Sequence, residues 1–271
     1  MDTKKLKSLT SPRIVFNSYT DENVEGEAFV QDHIFSYIIS GSHDIWVGDK
    51  RYSFHAGDYR FFRKNQLTRS IKKSDSEGFK SVALHLDQHT LENIRDEYAL
   101  TADGHSYPES VLLLKPNRYL ESYADSLLPY ANAHDGLSAS IGGLKARELV
   151  LILLETNLSL KNILFDFNEP GKINLEAFMN KHYRYNVGID RFAYLTGRSL
   201  SGFKRDFAKL YSMTPSRWLT SKRLQEAHYL IEEKRRRPSD IYLEIGFNDL
   251  SHFSFAYKKA FGNAPTRGNG I

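Results

Sequence analysis

The sequence predicts two parts of different class, an antiparallel β domain that runs on into helices and then an all-helical C-terminal domain. Three features of its 271 residues carry that prediction. Up to about residue 87, aromatic and β-branched residues recur at period two between Gly and Asp turns; from residue 88, apolar residues recur three and four apart. The charge also divides, near Pro170-Gly171. Residues 172–271 hold 18 Lys and Arg against 9 Asp and Glu, net +9, whereas residues 1–171 hold 19 against 24, net −5. A hydrophobic content of 41%, with 13% aromatic residues, supplies two cores and excludes disorder as the main state. No run approaches the ~20 apolar residues of a membrane span, and Met1-Asp-Thr-Lys-Lys-Leu-Lys7 lacks the apolar centre of a secretory signal. A soluble, cytoplasmic protein is expected. The absence of cysteine excludes disulfides, thiol nucleophiles and thiolate metal sites.

In the β region, Phe35, Tyr37 and Ile39 alternate with Ile34, Ser36 and Ile38 up to Gly41. His43-Asp-Ile-Trp-Val47 ends at Gly48-Asp49, Lys50-Arg-Tyr-Ser-Phe54 ends near Gly57-Asp58, and Tyr59-Arg-Phe-Phe62 and Phe79 to Leu86 follow. Short strands punctuated about every ten residues predict a sandwich or a barrel. Its aromatic residues Phe35, Tyr37, Trp46, Tyr52, Phe54 and Phe61 either fill the core or line a pocket for an apolar or sugar-like effector. His33, His43 and His55 stand ten and twelve residues apart with no His-x-His pair, so no metal is expected. Nor is there a Gly-rich phosphate loop, nucleophile elbow or paired-carboxylate motif, so neither an enzyme nor a cofactor is expected.

Helical spacing covers 88–100, 116–133 and 140–160, as in Tyr119, Leu120, Tyr123 and Leu127. The run Leu149-Val-Leu-Ile-Leu-Leu154 reads equally as core and as a dimer seam. Beyond Pro170-Gly171, helices are expected at 175–182, 189–196, 199–211, 215–233, 239–245 and 250–261. Gly188, Ser199, Thr214-Pro215, Pro238-Ser239 and Gly246 mark their ends. Two pairs of helices joined by very short turns predict two helix-turn-helix units.

The two units superimpose in sequence, with Phe203 and Phe207 matching Phe253 and Tyr257, and Pro215 matching Pro265. Apolar residues four apart bury one face of each second helix. The faces left outside carry Ser201, Gly202, Lys204, Arg205 and Lys209 on the first, and Leu250, Ser251, Ser254, Phe255, Lys258 and Lys259 on the second. Lys234-Arg-Arg-Arg237, the densest charge run, reads either as a phosphate grip or as a solvated helix end.

At these residues the sequence resembles the AraC family of bacterial transcription regulators. The resemblance rests on Ser199-x3-Phe203-x-Arg205-x-Phe207, Thr214-Pro215, Arg223-Leu224-x2-Ala227, Ile245-Gly-Phe-Asn-Asp249, Phe253 and Lys258-Lys-Ala-Phe-Gly262-x2-Pro265, and covers about 172–267. A looser resemblance, at Ile38-Ile-Ser-Gly41 and Phe54-His-Ala-Gly-Asp58, is to the cupin-type effector and dimerisation domain of many members. The resemblance implies a multidomain α and β chain: a cupin-like β-barrel with flanking helices over 1–166, a linker over 167–172, and an all-α DNA-binding domain over 173–271 with two helix-turn-helix units joined by a linker helix.

Resemblance further implies that each second helix enters a major groove, the two lying about one DNA turn, ~34 Å, apart. Base reading then falls to Ser201, Lys204, Arg205, Leu250, Ser251, Ser254 and Phe255, and phosphate contact to Ser199, Lys209, Arg217, Lys258 and Lys259. Arg223 matches a position that braces the linker helix. The implied partners are double-stranded promoter DNA, RNA polymerase, a second subunit in a homodimer, and a small-molecule or protein effector. Two departures stand out. Tyr242 occupies a position where the family has a small alanine, and Arg267-Gly-Asn-Gly-Ile271 replaces the family's tyrosine–arginine ending; that tail is expected to be disordered. Two alternatives are a cupin enzyme with an accessory helical domain and a nonspecific nucleoid-type DNA-binding protein.

Overall fold

A computed structural model describes residues 12–103, 109–132 and 138–265. The end of the 116–133 segment and the tail from Arg267 lie outside the described residues. The chain divides between Asn168 and Glu169 into two compact units.

Nine strands of the first unit form two antiparallel sheets. The strands are β1 (Arg13–Tyr19), β2 (Asn23–Val30), β3 (His33–Ser40), β4 (Ser42–Val47), β5 (Lys50–His55), β6 (Tyr59–Phe62), β7 (Gln66–Lys73), β8 (Phe79–Leu86) and β9 (Val111–Leu114). One sheet has the order β1-β8-β3-β6-β9 and the other β2-β7-β4-β5. Register sets every side chain's face. Ile34, Ser36, Phe62 and Arg60 pair across β3 and β6 and turn inward, while Phe35 and Phe61 pair and turn the other way. Val30, Ile38, Ile45, Phe54, Phe62, Phe79 and Val111 meet between the sheets, giving the cupin-like double layer its inner core.

The opposite face of the five-stranded sheet would be apolar and wet if left bare. Helices α1 (Gln88–Glu97), α2 (Arg118–Leu127), α3 (Ala139–Thr156) and α4 (Lys161–Leu164) cover it. Leu91, Leu120, Tyr123, Leu149 and Leu153 pack there with Phe35, Phe61 and Leu84, each such side chain worth about 1.5–3 kcal/mol on burial. Asp87, Asn117 and Ser138 cap α1, α2 and α3 through their side chains. Within the apolar run, Leu149, Val150, Leu153 and Leu154 are core, and Leu151 is 37% exposed.

The expectation of helix alone after residue 87 needs one correction. Val111-Leu-Leu-Leu114 is strand β9, paired to β6 at the edge of the five-stranded sheet. Three of its four residues are leucines, which favour helix over strand, and pairing with Phe61 and Phe62 overrides that preference.

The second unit contains α5 (Leu175–His182), α6 (Ile189–Leu195), α7 (Leu200–Tyr211), α8 (Pro215–Glu232), α9 (Pro238–Ile241) and α10 (Leu250–Phe261). Here α9 is shorter than expected, giving way to hydrogen-bonded turns that reach Gly246. Tyr242 sits at that point, packed against the edge of the second small core. No helix among the described residues is long and apolar enough to cross a membrane.

Candidate nucleic-acid interface

Two helix-turn-helix units flank α8. In the first, Phe192, Phe203, Phe207 and Trp218 are buried, with Phe207 edge-on to Trp218 at 5.6 Å. In the second, Phe253, Tyr257, Ile241, Ile245 and Phe247 close on Leu224, Ala227 and Ile231 of α8. One 18-residue helix, about 27 Å long at 1.5 Å per residue, thus contributes a wall to both cores.

The second helices begin alike. Ser199 caps α7, accepting from the Gly202 amide at 3.2 Å, and Asp249 caps α10, accepting from the His252 amide at 2.6 Å. These caps satisfy amides that a helix start leaves open, so the first turn can stand out from the body. The turn into α7 requires glycine at 197: φ is +63°, and a Cβ would lie 2.5 Å from the Gly171 carbonyl oxygen.

Ser201, Lys204, Arg205 and Lys209 are exposed on α7, as are Leu250, Ser251, Phe255, Lys258 and Lys259 on α10; Ser254 is half-buried. Ser199 is exposed, though its hydroxyl is engaged in the cap. Among the described residues, Lys204, Lys209, Arg217, Lys258 and Lys259 take part in no ion pair. Arg205 Nε reaches Asp206 only at 3.8 Å, and its side chain is 71% exposed. By contrast, Arg198 is spent internally on Asp206 and on the carbonyls of Ile173 and Thr196.

Between α8 and α10 runs an open groove of about 620 Å³. Arg217, Phe255 and Lys259 line it together, with Ser216, Thr220 and His252, which the sequence reading did not single out. Phe255, 69% exposed, is the most exposed large apolar side chain of the described residues. The charge run 234–237 divides. Arg236 pairs with Glu244 at 2.6 Å, Lys234 lies over the Tyr229 ring, and Arg235 takes a left-handed conformation as the chain leaves α8.

Arg223 holds this frame together. Its guanidinium donates to the carbonyls of Tyr183 (2.8 Å), Tyr185 (2.9 Å) and Gly246 (2.9 Å), tying α8 both to the segment after α5 and to the turn before α10. Arg184 and Tyr183 add a pair to Glu226, also on α8.

The six aromatic residues offered as an effector pocket do not share one. Phe35, Tyr37 and Phe61 face the helices, Tyr52 and Phe54 face the inter-sheet core, and Trp46 lies on the outer face of the four-stranded sheet beside Arg51 and Arg69. Strand alternation separates them. A cavity of about 210 Å³ between the sheets is walled instead by residues such as Ser36, His43, Arg60 and Lys72. Among the described residues, no group of three or more His, Asp or Glu side chains is placed to hold a metal ion.

Two family descriptions match the chain: an ExsA N-terminal regulatory domain over residues 33–163 and a helix-turn-helix domain over residues 192–268. The chain is 27% identical over 192 residues to the virulence regulon transcriptional activator VirF of Yersinia enterocolitica, a match covering 70% of this chain and 68% of that one. It is 29% identical over 126 residues to the HTH-type transcriptional regulator ExsA of Pseudomonas aeruginosa, covering 46% and 45%. Among solved structures, an apo form of ToxT from Vibrio cholerae aligns over 94% of this chain and 96% of its own, at 14% identity and a TM-score of 0.47.

Proposed function

The chain belongs to the AraC family of bacterial transcription regulators, and on that premise we propose that it activates transcription by reading two successive major grooves per subunit with α7 and α10. The observation that carries this is the pair of alike-capped helices, each with an outward face of exposed polar and cationic side chains, mounted on the single helix α8. Cations without an internal ion pair are free to displace counter-ions from phosphate. Arg205 and Lys204 suit guanine O6 and N7, Ser201, Ser251 and Ser254 suit either base edge, and Leu250 and Phe255 suit a thymine methyl. Ser199, Lys209, Arg217, Lys258 and Lys259 hold the backbone. Activation is supported by the activators among its relatives, and RNA polymerase is the partner through which it would act. The first unit serves assembly into a homodimer and control by an effector.

An enzyme reading has no support, since the relatives are transcription regulators. A nonspecific nucleoid-type protein would need only the charge. Selection of bound duplexes from a random library separates the two. A bipartite motif with half-sites about 10 bp apart, bound in the presence of excess random DNA, supports the proposal. Recovery of no motif overturns it.

A further inference from the structure

Arg60 is the largest fully buried side chain among the described residues and it is a cation. It sits mid-strand in β6 and turns into the space between the sheets, where its guanidinium reaches Ser36 Oγ at 2.8 Å and His43 Nδ1 at 2.7 Å. The Phe54 and Phe62 rings lie 5.3 and 5.4 Å away. All four neighbours are neutral. Guanidinium only donates, so His43 Nδ1 accepts and the ring keeps its proton on Nε2. Burial, with the Arg60 charge beside it, pushes the His43 pKa down to about 2, in keeping with a neutral ring. Burial likewise draws Arg60 down to about 9, outweighing the opposing pull of the Asp58 carboxylate. Both Arg60 Nε and His43 Nε2 are buried without a hydrogen-bond partner.

A buried charge without a counter-ion is costly, and structures seldom keep one unless something pairs with it. No carboxylate among the described residues lies within ion-pair distance of Arg60. Two acids are near: Asp58 acts on Arg60 only through space, its carboxylate accepting from the His55 amide at 2.7 Å, while Asp44 turns to the outer face and is taken up by Arg51 at 2.9 Å and Lys73 at 2.8 Å.

Arg60 and His43 line the 210 Å³ cavity, and so does Lys72, whose ammonium donates to the Tyr19 hydroxyl at 3.3 Å. The cavity therefore has two cations and no acid on its walls, with Val30, Ile45 and Phe62 giving an apolar side. At ~30 Å³ per water its volume corresponds to about seven waters. It is concave, mostly apolar and has a few convergent polar groups, as small-molecule sites do.

We propose that this inter-sheet cavity is an effector site for a small organic monocarboxylate, whose carboxylate pairs with Arg60 and Lys72 while its apolar body lies along Val30, Ile45 and Phe62. The proposal rests on the regulatory reading of the first unit. It names the chemical class of the effector and moves the site from the six aromatics to residues between the sheets.

Hexanoate and benzoate, with hexanamide and benzamide as neutral isosteres, test it on the full chain by calorimetric titration and thermal unfolding. Expected is saturable binding of at least one acid, with a raised unfolding temperature, and no binding of either amide. Arg60→Met should abolish acid binding yet leave the unliganded chain at least as stable as the parent, because an apolar side chain of similar length removes an unpaired buried charge. Lys72→Gln, which keeps the cavity wall, should weaken the acid at least tenfold. Acids and amides bound alike, neither acid bound, or full acid binding by Lys72→Gln together with Arg60→Met overturns the assignment. If Arg60→Met fails to fold, unchanged acid affinity in Lys72→Gln is sufficient to reject it. Specific DNA binding measured on the same preparations stands apart: DNA specificity without an acid response rejects the cavity alone, whereas an acid response without DNA specificity rejects the DNA reading.

Discussion

Arg223 and Gly246 fit one another at closest approach: the guanidinium donates to the Gly246 carbonyl at 2.9 Å, and a Cβ on residue 246 would stand 2.8 Å from Arg223 Nε. Gly246 also has φ +94°, and its added Cβ would run into the Arg184 carbonyl. Gly246→Ala should therefore destabilise by more than ~2 kcal/mol and weaken DNA binding, since it displaces the brace before α10. Urea unfolding together with DNA titration checks this; an unchanged midpoint would refute it.

Arg205→Ala should relax preference at a single base pair, by about 1–3 kcal/mol of discrimination. Lys259→Ala should weaken all sequences alike and lower the slope of log affinity against log salt by about 1. Base-scanning of a selected site distinguishes them, and a retained preference after Arg205→Ala removes that residue from base reading.

The apolar run of α3 has two sides. Leu153→Ala, in the core, should cost about 2–5 kcal/mol. On the outer side Ile141, Leu144 and Leu151 are 37%, 62% and 37% exposed. Leu144→Glu combined with Leu151→Glu should leave the fold intact and yield monomers in sedimentation. A dimer that survives both substitutions places the seam elsewhere.

Asp44 gives a pH signature. Burial opposes its ionisation, but hydrogen bonds from Lys73, Ser53 and Arg51 outweigh that and hold its carboxyl down at about 2. The unfolded value is about 3.9, so the stabilisation is fully present above that pH and is lost as pH falls towards 2. Asp44→Asn should cost about 1 kcal/mol at pH 7, its partners being half-exposed. That deficit should vanish near pH 2 in urea titrations; a constant deficit would show that the charge is not its source.

The helical unit was nearly legible in residue order because its signals are local. Thr214-Pro215 starts α8 and Ser199 caps α7, at or within a residue of where periodicity and capping chemistry put them. Where the structure departs from the local sequence signal, the deciding contact is long-range. Val111-Leu-Leu-Leu114 becomes a strand only because Phe61 and Phe62 offer it an edge. The six aromatics look like one stripe when taken by type, and period-two alternation scatters them over three faces. Arg60 did carry a signal. A cation between Tyr59 and Phe61, in a strand buried at all four positions, breaks the apolar pattern.

The clamp of α8 by Arg223 and Glu226 also bears on what a target site can tolerate. Two reading heads fixed to one stiff rod keep a set rotational phase, while each base pair inserted between half-sites turns the second by about 34°. A substitution in either half-site costs one contact, but an insertion between them misaligns every contact of one head. Promoter variants should therefore preserve spacing more strictly than sequence.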